Sequence, residues 1–334
     1  GKQWSLQADY SLMKFLADDP VYPKVYKNDP TGIYHQNVVR GSASVSAKNK
    51  YERTSGNLRA YYSYGNHHIQ DPAAFHSVDD RMGLMIYQNM ELWPEASAAA
   101  GFDFDAYSGK IPLSGGKDHS QAPMATLKRK HIVEYSPYLT LTQSFMQGRF
   151  SANAGVRMVN SNLFGTHWVP QAGITASLGR EWRVRGSVAR GFRNPSFKEL
   201  YLYKMANPEL GPEEMTNYEL AVNKTLGHVL SVELCGYISK GSNLISVLDG
   251  INQNMGSFTN KGMEVSAKCK PLEWMGIQAN YSFLHTSLDN LTGAPRHQYF
   301  LALDLMPHPK WEIHPQMKGV NSLFVSQDTH LQKA

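Results

Sequence analysis

The sequence has only two cysteines, no long apolar run and no large block of one charge sign. Each lack excludes something. A membrane-spanning helix needs about 18 consecutive apolar residues, and the longest candidates here, such as Leu244 to Leu248, are broken by polar residues. Cys235 and Cys269 lie in neighbouring predicted strands on opposite alternation faces, which favours free thiols over a disulfide and leaves the redox compartment unread. The formal net charge is +5, but basic residues are interspersed with acidic ones except at Lys128, Arg129 and Lys130, a cluster read as a solvated loop. Nucleic-acid binding needs a clustered basic face, so no such partner is expected. The first residues, GKQWSLQADYSLMKF, show no basic segment leading an apolar one, so no export signal is read there.

Catalytic signatures are scarce as well. There is no Gly-rich phosphate loop, no G-x-S-x-G elbow and no Cys with a positioned His partner. His67, His68, His76 and His119 match no zinc spacing and read as exposed histidines, so no metal is expected. The tripeptides at Asn223 and Asn290 fit a glycosylation sequon by chance. No enzyme and no cofactor are expected.

What the sequence has in abundance is period-two alternation. VVRGSASVSAK sets Val39, Gly41, Ala43, Val45 and Ala47 against Arg40, Ser42, Ser44, Ser46 and Lys48. RFSANAGVRM, GMEVSAKC, GIQANYSF and QYFLALDL repeat the pattern. About fifteen such strands are expected, each near the ~9 to 11 residues that cross a bilayer when tilted. Tight links near Trp93, Gln147, Gly179, Leu226, Pro271 and Pro307 alternate with long ones at Ser108 to Lys130, Arg193 to Thr216 and Lys240 to Thr259. Trp93, Trp182, Trp274 and Trp311, with Trp4, mark the tight-turn ends as an interfacial girdle would.

The fold class expected is all-β: an antiparallel up-and-down transmembrane β-barrel. Alternation alone also admits a soluble β-sandwich. An odd count cannot close such a sheet, so residues 1–334 are expected to form one incomplete barrel domain, part of a larger one. Asp103 and Asp105 share a face opposite Phe102 and Phe104. Paired carboxylates serve acid/base or cation chemistry. The plainer reading makes them lumen-facing charges, together with Arg157, Arg183, Arg185 and Glu219 on polar faces.

One segment breaks the alternation: SVARGFRNPSFKELYLYKMANPELGPEEMTNYELAV. A strand runs into a proline, then a helix predicted from Phe197 to Tyr203, then a new strand. Ser196 with Glu199 three residues on fits a capping box. A link of more than twenty residues far exceeds a turn and marks a binding element.

The words in this segment resemble those of TonB-dependent outer-membrane receptors, and of Bacteroidetes members in particular. They are Gly191, Phe192, Arg193 and Pro195; Glu199, Leu200 and Tyr201; Asn207, Pro208, Leu210, Pro212 and Glu213; then Asn217, Tyr218 and Glu219. Further similar words, including GFDFDAYSGK and NKGMEV, extend the resemblance from about Ala74 to about Leu305. It implies a barrel in the bacterial outer membrane, in contact with lipid, with a plug domain inside that is not found in this sequence. It also implies active uptake of a scarce ligand driven by the TonB-ExbB-ExbD complex. Some words are similar to haem receptors too, but Ser196 to Ala206 contains no histidine for the iron. A ferric siderophore or cobalamin is therefore expected. Tyr201, Tyr203 and Lys204 are the candidate ligand contacts, aromatics and a cation suiting an anionic chelate; Tyr201 has packing as its plainer role. A passive porin or adhesin barrel, or a soluble β-rich binding domain, are the alternatives.

Overall fold

The computed structural model describes residues 3–19, 34–70, 73–116, 126–179, 181–202, 205–288 and 293–323. In chain order the strands are β1 (Trp4–Asp19), β2 (Tyr34–Lys50), β3 (Thr54–Gln70), β4 (Ala73–Trp93), β5 (Ala96–Gly116) and β6 (Leu127–Phe145). They continue as β7 (Phe150–Ser161), β8 (Gly165–Leu178) and β9 (Trp182–Arg193), then a short helix α1 (Phe197–Tyr201), β10 (Glu213–Leu226) and β11 (Leu230–Ser242). The remainder are β12 (Ile245–Leu248), β13 (Ile251–Asn254), β14 (Phe258–Leu272), β15 (Met275–Thr286), β16 (His297–His308), β17 (Trp311–Ile313) and β18 (Gln316–Asn321).

Every strand but β12 and β13 belongs to one 16-stranded sheet in which sequence neighbours pair. All its pairings are antiparallel. Both β17 and β18 pair with β16, so they are one strand interrupted at His314 and Pro315. Proline has no N–H to give to a ladder, which explains the break. Counted this way the sheet has fifteen crossings, as the alternation predicts. Among the described residues the pairing does not return from the last strand to β1.

Burial is inverted relative to a water-soluble protein. On β2 the serines face the concave side, with Ser44 7% exposed, while Val45 on the convex side is 56% exposed. Leu6, Tyr10, Leu12, Leu139, Leu141, Ile174, Leu220 and Leu234 are likewise exposed. A sheet that hides hydroxyls and displays leucines is built for hydrocarbon outside and polar matter within. This decides against the soluble sandwich, whose apolar face would be the covered one.

Three details differ from the sequence expectation. Strands β1 to β6 run 16 to 21 residues, beyond the 9 to 11 expected, because their antiparallel pairing continues along almost the whole of each strand. Lys128, Arg129 and Lys130 belong to β6 rather than to a loop, and Arg129 binds Asp80 and Ser108 on neighbouring strands. His76 is also in a strand, paired with His68 across β3 and β4; His119 lies outside the described residues. Cys235 and Cys269 are both free thiols.

A repeated device packs the concave face. Tyr61 is in register with Gly83, Tyr138 with Gly101 and Tyr237 with Gly262, and each ring lies over its glycine. The tyrosine covers the gap that a glycine leaves in a pleated surface. A Cβ at Gly262 would overlap the Tyr237 ring and sit 2.6 Å from the Phe283 carbonyl oxygen. Gly262→Ala is therefore expected to destabilise the sheet by about 1–3 kcal/mol through overpacking. Denaturant unfolding in detergent measures it, and the double change Gly262→Ala with Tyr237→Ala should recover part of the loss. An unchanged midpoint for Gly262→Ala would refute the steric account.

Candidate functional site

The segment that breaks the alternation forms a clamped loop at the long-loop end of the sheet. Arg193, the last residue of β9, is its hub. The guanidinium Nε donates to Glu213 Oε2 at 2.6 Å, and Nη1 and Nη2 donate to the two carboxylate oxygens of Glu199 at 2.9 and 3.0 Å. One planar fork thus ties the end of β9, helix α1 and the start of β10, which the flexible point charge of a lysine could not do.

Helix α1 begins as the sequence predicts, with a capping box. The Glu199 N–H donates to Ser196 Oγ at 3.3 Å, and the Ser196 N–H donates to Glu199 Oε2 at 2.7 Å. The helix ends at Tyr201 rather than Tyr203, since Leu202 is extended. Burial pushes the Glu199 carboxyl up, but hydrogen bonds from Arg193 and Ser196 outweigh it and hold the group down at about 2.

Beneath the helix lies a small apolar cluster of Ile132, Leu200 and Leu210, flanked by Tyr107, Phe164, Phe197, Tyr201 and Ile245. Leu200 is fully buried there, and Pro195 at the start of the same loop is buried as well. Tyr201 belongs to this packing: its ring lies 5.7 Å from that of Phe197, with the Lys130 ammonium 5.4 Å away. Tyr203 and Lys204 lie outside the described residues.

The next loop is knitted onto the first. Asn252 donates to the Glu199 carbonyl at 3.2 Å, while Asn207 donates to the Asn252 carbonyl at 2.9 Å. Asn254 accepts from the Gly211 N–H at 2.8 Å and donates to the Gly211 and Asn243 carbonyls. Glu213 Oε1 accepts the Ile245 N–H at 2.7 Å. The β12–β13 hairpin and residues 205–213 are therefore joined through side-chain amides that satisfy loop backbone groups. Of the motif residues, Asn217 accepts from Ser239 at 2.7 Å on the barrel wall, Glu219 pairs with Arg185, and Tyr218 faces outward. Nothing in the alternation signals Asn252 or Asn254; both sit in a hairpin where the sequence predicts only a loop.

Below the loop, the concave wall carries the charges expected of it. Asp105 accepts from Arg81 Nε at 2.8 Å and from the Tyr61 hydroxyl at 2.9 Å, and Asp103 pairs with Arg157 at 2.7 Å. The Arg157 guanidinium also lies 5.3 Å from the Tyr138 ring. Arg185 holds Glu219 at 3.1 Å, and Arg183 shares their face opposite Asn223. Each aspartate thus has its own arginine, so Asp103 and Asp105 are not arranged as an acid/base dyad, in which two carboxylates must share a proton. Arg81 and Tyr61 are partners that the sequence does not single out, although their alternation parity places them on the same face. Among the described residues no group of three or more His, Cys, Asp or Glu is placed to hold a metal ion. Between loop and wall lies a cavity of about 680 Å³, lined by Arg40, Asp79, Arg81, Tyr107, Glu134 and Phe197 among others.

Comparison with known proteins agrees with this architecture. Over 109 residues, 33% of this chain, the sequence is 30% identical to the vitamin B12 transporter BtuB of Photobacterium profundum, covering 18% of that protein. The fold matches the ferric yersiniabactin uptake receptor FyuA from Yersinia pestis with a TM-score of 0.73 at 13% identity, over 95% of this chain and 56% of that one. It matches the siderophore receptor PirA from Pseudomonas aeruginosa with a TM-score of 0.69 at 14% identity, over 96% of this chain and 66% of that one. These structural likenesses speak for the fold alone, and the chain spans less than two thirds of each relative. The family described as TonB dependent receptor-like, beta-barrel, matches residues 2–331, in keeping with the inverted burial and the clamped loop: the chain belongs to that family, whose place is the bacterial outer membrane.

Proposed function

We propose that this chain is the barrel wall of a receptor that imports a scarce ligand across the outer membrane, a ferric siderophore or cobalamin. The observation that carries the reading is the pairing of an inverted burial pattern with a pre-organised outer loop: apolar side chains outside, paired charges inside, and Arg193 holding the mouth in one shape. A loop ordered before binding loses less entropy on capture, which suits a ligand at low concentration. In the whole protein a plug domain rests against the arginine–carboxylate wall and couples to TonB-ExbB-ExbD. The protein performs no covalent chemistry on its cargo. Tyr201, Tyr203 and Lys204 are the proposed loop contacts, Tyr201 having its packing against Phe197 as the plainer role.

The test is uptake by cells carrying the complete gene, supplied with radiolabelled ferric siderophores or cyanocobalamin, with and without TonB. TonB-dependent accumulation of one of them is the expected result. Accumulation that is equal without TonB would establish a passive pore instead, and no accumulation of either ligand class would overturn the assignment.

A further inference from the structure

His68 on β3 and His76 on β4 are brought together by register rather than by any spacing along the chain. They stand directly opposite each other in the β3–β4 ladder, and their ring centroids are 5.1 Å apart with the planes tilted by 46°. Both are half-buried. An imidazole nitrogen sits about 2.0–2.1 Å from a bound metal ion, which puts the centroids of two rings on one tetrahedral metal about 5 Å apart. The pair already has that separation.

Its surroundings favour the protonation form that a metal needs. His76 Nε2 lies 3.0 Å from the side-chain oxygen of Asn66. An amide oxygen can only accept, so Nε2 carries the hydrogen and Nδ1 keeps its lone pair. Metal-ligating histidines give their other N–H to a carbonyl or carboxylate in this way. His68 has an equivalent neighbour on its other side, because Asn37 of β2 is directly opposite it. The Asn37 side-chain oxygen is buried without a hydrogen-bond partner. A buried acceptor left unmet is costly, and the second N–H of a metal-bound His68 would meet this one.

The donor set selects the metal. Among the described residues no carboxylate or thiol completes a group of three with the two rings. Asp80, on the same face of β4, is taken by Ser108 and Arg129, and Lys110 stands across from Val78, two residues past His76. Neutral nitrogens beside an ammonium offer no charge attraction, which disfavours Ca²⁺ and Mg²⁺ with their demand for oxygen ligands. Imidazole suits late first-row ions, and Cu²⁺ binds more tightly than Zn²⁺.

The pair is off the path through the barrel. Asn37 and His68 share the parity of Val39 and Val45, which is that of the convex face. His68 also lies fourteen residues beyond Thr54, at the tight-turn end of β3. Fourteen residues at about 3.3 Å each, tilted about 40°, climb about 35 Å, more than the about 25 Å of the apolar band. Water is thus at hand to fill the remaining coordination positions.

We propose that His68 and His76 bind a late first-row divalent metal ion, copper ahead of zinc, as a clip across β3 and β4, with Asn66 and Asn37 holding their second nitrogens. The proposal does not rest on the identity of the imported ligand.

The test titrates the full chain, without a histidine tag and in detergent micelles, with copper(II), zinc(II) and calcium chlorides, read by calorimetry and, for copper, by electron paramagnetic resonance. The tightest copper site should show two imidazole nitrogens, with zinc weaker and calcium without effect. His68→Gln and His76→Gln should each weaken that site about tenfold or more, and Asn37→Leu about tenfold through lost positioning. His285→Gln, on β15 away from the pair, should leave it unchanged. Equal copper binding in both His68→Gln and His76→Gln, or a spectrum with one nitrogen, would overturn the site, and calcium binding as strong as zinc would overturn the metal class. In the unaltered chain, saturating zinc should slow hydrogen exchange at residues 66–70 at least about tenfold. Unchanged exchange there would overturn the clip even if a histidine variant misfolds.

Discussion

Replacing Arg193 with methionine is expected to release the outer loops as a unit while the barrel strands stay folded. Arg193 is the shared donor to Glu199 and Glu213, and Glu213 in turn holds the β12–β13 hairpin through Ile245. Methionine keeps much of the stem's bulk but leaves two part-buried carboxylates without their cation. Hydrogen bonds to charged groups contribute about 1.5–3 kcal/mol, and because the Arg193 side chain is half exposed, solvent screening puts the loss near the lower end, about 2 kcal/mol. The measurement is hydrogen exchange: amides in residues 205–212 and 245–254 should exchange at least about tenfold faster, with β10 and β11 unchanged. Arg193→Lys should fall between the two, having charge without the fork. Unchanged exchange in both loops would show that the apolar cluster under Leu200 suffices.

The same clamp sets a pH dependence. Glu199 is held at about 2 in the folded loop against its ordinary value of 4.5. A group whose folded pKa is depressed contributes stability that is present above its unfolded pKa and lost as pH falls through the folded one. Loop protection should therefore decline between about pH 4.5 and 2, and Glu199→Gln should remove the decline over that window by removing its cause.

The second large effect concerns the outer face. Leu220 is 58% exposed and sits six residues from the tight turn after β10, near the middle of the apolar band. Leu220→Arg is expected to cost about 2–4 kcal/mol, the charge having to reach the interface from mid-membrane. Ser266 sits at a similar height on the concave face, opposite Glu233. Ser266→Arg places the same charge where water and a carboxylate are within reach, and a change within about 1 kcal/mol is expected. Refolding yield and urea midpoints in lipid vesicles compare the two. Equal costs would mean that the two faces do not meet different solvents, and the inverted burial pattern would lose its membrane explanation.

Much of this architecture is legible in the residues themselves. Val45 against Ser44 on β2, and Phe102 and Phe104 against Asp103 and Asp105 on β5, alternate with period two because successive side chains of a strand point to opposite faces. The antiparallel sheet, its fifteen crossings and the shared face of Asp103, Asp105, Arg157, Arg183, Arg185 and Glu219 follow from that parity and from the turn positions. The capping box of Ser196 and Glu199 follows from local backbone chemistry, so it too is readable, although the helix stops two residues early.

Other features depend on residues far apart in sequence, and no local pattern encodes them. Alternation says that one face is polar but not which face meets lipid; only the curvature, with Ser44 covered and Val45 bare, decides that. Arg193 reads as a family word, yet its joint hold on Glu199 and Glu213 requires β9, α1 and β10 to converge. Asn252 and Asn254 read as ordinary loop amides until the hairpin folds back over residues 205–213. Strand order, parity and the presence of a long, helix-capped loop are thus written into the chain, because they are consequences of its geometry over a few residues. Which charges pair and which loop residues lock together are settled by the folded sheet, because register brings together side chains separated by tens of residues.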